Sequence, residues 1–557
     1  MKRNMKYNKI TSAVMVLSLG LACSCTDDWD NHYGNGSSDE GCSLWQTIKN
    51  DGELNNFAAV LEATGYKAAL DGSQVFTVFA PSDSQFSEAQ RDSVIDLYKQ
   101  EVAAGVSDKR NAAIKEFVKN HIALYNYSVS SVTNDSIVMM NGKYGMLKTD
   151  SFRGRNFLAS NVKASNGILF KMSGISNYTP NVYEYIGRDA DLDSLTSYIY
   201  GYSIDEFDAS QSVPGEIVNG KTQYLDSVTV LRNKLLTNWM DANIDEEDST
   251  YWMIAPVNQV WDSLLTEYAN YYQYDAKVEG RDSLMYNFPR RAIVQGSAFS
   301  RTLNPDDALQ DSAMSTNSVP YSRRRALYGS YDKKYYQYDR PYDAGGVFDG
   351  AEEIVCSNGK VFKTSTWNID KKSTFYREIV MEGESTYFID SVYSISTREP
   401  SYGSVASYNP YYNKVSNNYF AILAPSGNSN YKALIQVMDV LSNVPYDVYV
   451  VAVPAVAGDT LVAQDQRVPT IFRATVSYHL ATGEEDSFDS VDKLTTDATK
   501  VDSVFVGTYT FPTCSYNLEE AQVKILIEGR VSNRQVTSGT HTKTLRVDCV
   551  VLKPHEE

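Results

Sequence analysis

Histidine is scarce: the 557 residues carry five, at positions 32, 121, 479, 541 and 555. No Gly-x-Ser-x-Gly elbow, Walker-type glycine loop or His-Glu-x-x-His pair occurs, so the common hydrolase, nucleotide and zinc-protease signatures are missing. The six cysteines form no C-x-x-C pair and have no histidine at metal-binding spacing, which argues against a structural zinc site. Cys514 and Cys549 are free to pair or to stay thiols. Positive charge is also short. Fifty-one Lys and Arg stand against 69 Asp and Glu, a formal charge of −18, and this argues against nucleic acid as a partner. No cofactor is implied. The stretch "DANIDEEDSTYW" has Glu246 and Trp252 where a calcium loop needs Gly and Glu, and it is rejected as one.

Beyond the N-terminus no apolar run reaches the 18 residues a membrane span needs. The start itself, "MKRNMKYNKITSAVMVLSLGLACSC", has a basic head, a short apolar core and small residues before cysteine. This pattern is a secretory leader, and it resembles a lipoprotein signal (1–24) with Cys25 as the lipid attachment site and Cys23 as the alternative. Residues 25–42 read as a flexible acidic tether. Acidic residues behind a lipidated cysteine resemble a surface-export signal, so the expected location is the outer membrane, lipid-anchored and facing the exterior.

What is abundant is tyrosine: 41 residues against 20 Phe and 6 Trp. Three clusters stand out, "YANYYQYD" with Tyr268, Tyr271, Tyr272 and Tyr274, then Tyr328, Tyr331, Tyr335, Tyr336, Tyr338 and Tyr342, then Tyr402, Tyr408, Tyr411, Tyr412 and Tyr419. All three look exposed, and the last two sit in Gly-, Ser- and Asn-rich sequence that reads as loop. Flat amphipathic rings suit sugar faces and protein interfaces, so Tyr331, Tyr335, Tyr336, Tyr338, Tyr342, Tyr402, Tyr408, Tyr411 and Tyr412 are the candidate ligand contacts. The competing reading is that they pack their own loops.

Between tether and tail the chain repeats itself. "TVFAPSDSQF" (77–86) is echoed by "MIAPVNQVW" (253–261), each an apolar strand stopped by Ala-Pro with an aromatic five residues past the proline. "SNGILFKMSGI" (165–175) is likewise echoed by "SNGKVFKTSTW" (357–367). Ser82 or Asp83 is expected to cap the helix that follows the first box. The polar positions after the two prolines differ, which marks the box as scaffold more than site. These boxes, together with "NHIALY" (120–125) and "YTPNVYEYI" (178–186), resemble the fasciclin domain. The resemblance implies an α+β unit at 43–187, a divergent second one with insertions at 188–375, and His121 at a position where the family often keeps a histidine, here read as scaffold. From 376 to 557 eight short alternating strands and almost no helical period predict an all-β jelly-roll-like sandwich, similar to galactose-binding modules.

Fasciclin domains generally serve as non-catalytic interaction modules. The resemblance therefore implies a surface adhesion or binding lipoprotein, not an enzyme, taking glycan or glycoprotein as an accessory of outer-membrane nutrient capture. A protein-binding scaffold of the cell envelope is the alternative. A glycan hydrolase with carboxylates in the sandwich is the third.

Overall fold

The computed structural model describes residues 41–207, 213–218, 221–226, 229–300, 312–320, 333–385, 387, 389–393 and 400–556, in two compact units divided between Tyr178 and Thr179. The fold is mixed α and β.

In the first unit the strand Phe76–Pro81 is apolar along nearly its whole length because both of its faces are covered. Phe76, Val78 and Ala80 join a helical core with Leu44, Phe57 and Leu61. Phe79 points the other way, into a cluster with Phe152, Phe170 and Met172. The strand pairs in parallel with Gly167–Met172, and on its far side with Ile122–Ala123. Arg155–Ala164, Ser151–Phe152, Tyr144–Lys148 and Asn134–Val138 complete a seven-stranded sheet.

The second unit opens on the same plan. Tyr251–Pro256 pairs in parallel with Gly359–Thr364 at the centre of a six-stranded sheet. The Asn-Gly before each final strand shows why the two copies agree. Asn166 accepts from the Leu44 N–H (2.7 Å) and donates to the carbonyls of Leu70 (2.9 Å) and Gly72 (2.7 Å). Asn358 accepts from the Val182 N–H (2.9 Å) and donates to those of Ile244 (2.9 Å) and Glu246 (2.7 Å). Gly167 (φ +150°) and Gly359 (φ +148°) lie where a side chain would overlap the carbonyl oxygen of Phe76 or Tyr251.

The residue two past each proline has a shared task as well. Asp83 accepts from the Asn55 (3.0 Å) and Asn56 (2.9 Å) N–H groups, capping the helix Asn55–Ala63 across the chain. Asn258 accepts from the Ser194 N–H at the start of Asp193–Tyr200 (2.9 Å). Asp83 therefore does not cap the next helix, as the sequence suggested. A turn first drives Phe86 into the core, and Ser87 caps Glu88–Ala103. The first domain's expected end moves too. Val182–Ile186, expected in the first domain, packs in the second unit's core.

Past residue 375 two six-stranded antiparallel sheets face each other. One orders Ser401–Ser404, Tyr419–Leu423, Leu545–Pro554, Pro445–Ala452 and Asp502–Thr510, with Ile379–Glu382 also on Leu545–Pro554. The other orders Ile389–Tyr393, Lys432–Val437, Val523–Gly529, Ile471–His479 and Glu485–Ser487, with Val491–Thr495 also on Ile471–His479. The expected division at 375 is not a division of the core. One buried cluster runs from Leu195 and Trp261 to Val450 and Ile525.

The tyrosines of "YANYYQYD" lie in that shared core and are not exposed: Tyr272 and Tyr274 are fully buried, and Tyr268 and Tyr271 nearly so. The Tyr274 hydroxyl donates to the Tyr516 carbonyl (2.9 Å), and the Tyr272 ring meets Phe288 and Tyr516, each at 5.8 Å.

Candidate functional site

The strands of the first sandwich sheet alternate inward and outward, and their outward residues are unusually apolar for a face that meets solvent. Along Pro445–Ala452, Tyr446, Val448 and Val450 enter the core while Tyr449 and Val451 point outward. Val550 and Leu552 point inward from the last strand, and Cys549 and Val551 outward. In Asp502–Thr510, Val504 and Val506 point inward and Phe505 is 49% exposed. Register sets Tyr449 beside both Val551 and Phe505.

The result is a groove of about 530 Å³ with Val451, Cys549 and Val551 as its floor. The Tyr449 and Phe505 rings lie 5.4 Å apart at 52°. Lys553 stands over Tyr449, its Nζ 5.7 Å from the ring centre and 3.9 Å from Glu378. A polar wall comes from residues 413–418. Asn413, Asn417 and Asn418 all adopt left-handed backbone there (φ +63°, +51° and +59°), a conformation asparagine tolerates better than most residues. The wall is fixed in place. Asn413 and Asn418 bond each other, at 2.6 Å from the Asn413 N–H and 3.3 Å from the Asn418 amide.

A buried acidic cluster closes one side. The Ser416 N–H donates to Asp548 (2.9 Å) and its hydroxyl to Glu382 (2.7 Å), while the Asn417 amide reaches Glu384 (3.4 Å). Burial first, and the neighbouring Glu382 and Glu384 charges after it, push the Asp548 carboxyl up to about 7 against the Ser416 bond. Ligand atoms of Glu382, Asp548 and Cys549 lie within 4.8 Å of one another. Burial and the same carboxylates hold the Cys549 thiol protonated, so the oxygens suit a hard divalent cation and the sulfur does not suit a soft one.

The tyrosines singled out from sequence are scattered. Tyr402, Tyr408 and Tyr412 are exposed, Tyr408 at 82%, and the last two precede the groove's wall. Tyr411 is half-buried and bonds the Thr499 carbonyl (2.6 Å). Tyr342 is exposed at one edge but packs on Phe348 at 5.5 Å, and Tyr338 bonds Ser373 and packs on Phe299. Tyr335 and Tyr336 lie on the strand Lys333–Asp339. Tyr331, Cys23 and Cys25 fall outside the described residues. Cys42, Cys514 and Cys549 are free thiols. Among the described residues no helix is long and apolar enough to cross a membrane.

Sequence reasoning missed Tyr449, Phe505 and Lys553, which sit inside runs that read as core strands. The available signal was the outward set itself. A strand whose two faces are both apolar, in a sandwich with only one covered face, presents something other than water.

The fold has likenesses among solved structures. The CBM22-1 and GH10 modules of Clostridium thermocellum endo-1,4-beta-D-xylanase 10B, complexed with xylohexaose, share 12% identity over 32% of this chain and 29% of theirs, TM-score 0.20. The CBM22-1 xylan-binding domain of Paenibacillus barcinonensis Xyn10C shares 11% over 32% of this chain and 95% of its own, TM-score 0.19. A domain pair of the insect cell adhesion molecule fasciclin I shares 10% over 59% of this chain and 97% of its own, TM-score 0.17. No curated protein matches the sequence. Residues 52–175 match the model of the fasciclin domain.

Proposed function

We propose that this is a non-catalytic surface lipoprotein, anchored through Cys25 to the outer membrane, that holds glycan or glycoprotein as an accessory to nutrient capture. On this reading residues 179–375 are a second, divergent fasciclin-like domain, and the last 180 or so residues form a galactose-binding-like sandwich. The observation that carries the reading is the groove over Tyr449, with the outward Phe505 ring 5.4 Å from the Tyr449 ring. Flat aromatic faces suit sugar C–H groups, while Asn413, Asn417, Asn418 and Lys553 supply hydrogen bonds at the rim. The exposed Tyr408 and Tyr412 extend the aromatic surface on the loop leading to the wall.

The carboxylates beside the groove favour binding over hydrolysis. Glu382 is 1% exposed and already bonded to Ser416, and Asp548, which lines the groove, is 3% exposed and accepts from the Ser416 N–H.

The test is affinity electrophoresis of the protein lacking residues 1–25 across a panel of plant and host polysaccharides. Retardation on at least one glycan is expected, with Tyr449→Ala and Phe505→Ala each weakening it about tenfold or more. No retardation, with envelope proteins co-purifying instead, replaces this reading with the scaffold one. Release of sugar product overturns the non-catalytic assignment. Loss of fatty-acid labelling in Cys25→Ala, and not in Cys23→Ala, is expected for the anchor.

A further inference from the structure

Several half-buried cations of this acidic protein pair with carboxylates. Lys363 pairs with Asp189 (3.0 Å) and Glu352 (3.3 Å), Lys171 with Asp51 (2.6 Å) and Glu53 (3.0 Å), and Arg473 with Glu528. Arg546 breaks this pattern. It is half-buried on the last strand, and its guanidinium makes no ion pair or hydrogen bond among the described residues. Burial, with no neighbouring charge to offset it, holds its pKa below the usual arginine value. A desolvated, unpaired charge costs stability, and a fold retains one where something else supplies the counter-charge.

Arg546 lines a pocket of about 20 Å³ at one end of the sandwich, away from the Tyr449 groove's lining, with Gln466, Thr470, Thr496, Thr542 and Thr544 around it. That volume holds one or two water-sized groups, not a sugar ring. The hydrogen bonds within leave donors in surplus. The Thr496 hydroxyl accepts from the Thr470 N–H (3.1 Å), so its own proton is left over. Gln466 uses its carbonyl oxygen to accept from Thr542 (3.3 Å), which leaves its amide hydrogens. The Thr470 hydroxyl is buried and makes no hydrogen bond of normal geometry. One carboxylate also lines the pocket, that of Asp497, and it is turned to the Thr499 N–H (2.8 Å) and hydroxyl (2.6 Å).

In the loops on either side two more cations bond neutral oxygens. Arg467 donates to the carbonyls of Val462 (3.0 Å) and Thr460 (3.1 Å). Lys543 donates to the carbonyl of Asn428 (2.5 Å) and the side chain of Asn533 (2.6 Å).

We infer that the Arg546 pocket is a second binding site that takes a carboxylate, with a uronic-acid residue of a glycan as its source. The planar guanidinium matches a carboxylate through two parallel bonds, and the pocket admits two oxygens more readily than the four of a sulfate. Only the source of the carboxylate rests on the glycan-binding reading; the pocket's chemistry does not.

The experiment measures the thermal midpoint of the protein lacking residues 1–25 with free D-glucuronate, D-glucose or inorganic sulfate, for wild type, Arg546→Met and Tyr449→Ala. Glucuronate is expected to raise the midpoint saturably in wild type and in Tyr449→Ala, and glucose to leave it unchanged. Arg546→Met should weaken glucuronate about tenfold or more, while its ligand-free midpoint stays equal to or above wild type. An arginine kept only for structure would give a lower one. A flat response in wild type, an undiminished response in Arg546→Met, or loss only in Tyr449→Ala overturns the inference. An equal response to sulfate overturns the choice of carboxylate. Retardation on neutral glycans through Tyr449, with glucuronate silent, leaves the groove standing and removes this pocket.

Discussion

The imidazole of His121 has both nitrogens in use. Nε2 accepts from the Ser176 N–H (3.0 Å), so the proton sits on Nδ1 and is donated to the Phe117 carbonyl (2.8 Å). Phe57 and Phe117 close over it at 5.9 and 4.7 Å. Burial pushes its pKa down to about 4; the Phe117 bond resists and the Arg153 charge assists. An unfolded imidazole titrates near 6.5, so the folded state disfavours the proton that the unfolded state accepts. The stabilising contribution is complete above pH 6.5 and is lost as pH falls toward 4. Between pH 6.5 and 5 the first unit should lose about 2 kcal/mol from this group, read as a falling denaturant midpoint. His121→Asn should be less stable at pH 7 and should flatten that slope. An unchanged slope would sink the account. The histidine was legible as scaffold from its sequence setting; its tautomer was not, because Ser176 reaches it from 55 positions away.

At the scale of elements, periodicity carried the reading wherever a segment's burial follows from its own pattern. The eight strands expected in the last domain are all present, joined by short ones such as Ile379–Glu382 and Glu485–Ser487 with little pattern to show. The Ala-Pro box was legible as scaffold, but the polar residues after it looked unrelated. Asp83 and Asn258 do equal work because a helix N-terminus accepts either side chain as a cap, so chemistry was kept where identity was not. The Tyr-rich turn went the other way. Tyr268, Tyr271, Tyr272 and Tyr274 follow from the helix Asn258–Tyr268 into the turn Ala269–Tyr272, and nothing local says that a sheet more than 150 residues later covers them. Removing that covered ring should be costly. Tyr272→Ala is expected to destabilise the second unit by about 3–5 kcal/mol in urea unfolding, as for a large aromatic taken from a core. Tyr274→Phe, which loses the bond to the Tyr516 carbonyl, should cost about 1 kcal/mol. Near-neutral values for both would mean the turn is solvated after all.

Over the whole second unit, texture and cooperativity part company. The change from helices to short strands near residue 375 is visible in sequence, yet the core beneath it has no seam. Backbone joins follow the same path. The Cys514 N–H donates to the Gln273 carbonyl (2.6 Å) and the Ser442 N–H to that of Tyr271 (2.9 Å). The Ser442 hydroxyl and Asn443 amide both reach the Asn270 carbonyl at 2.8 Å. A sandwich cut out at residue 376 would expose Tyr446, Phe511 and Cys514 to water and leave these donors unpaired. Residues 179–557 should therefore unfold in one sharp transition, seen alike by tryptophan fluorescence and far-UV circular dichroism. Residues 376–557 alone should bind a hydrophobic dye and unfold gradually or aggregate. If the shorter fragment instead melts sharply at the same denaturant concentration as the longer one, the shared core contributes nothing to stability. The sandwich would then be an independent module that touches its neighbour without needing it.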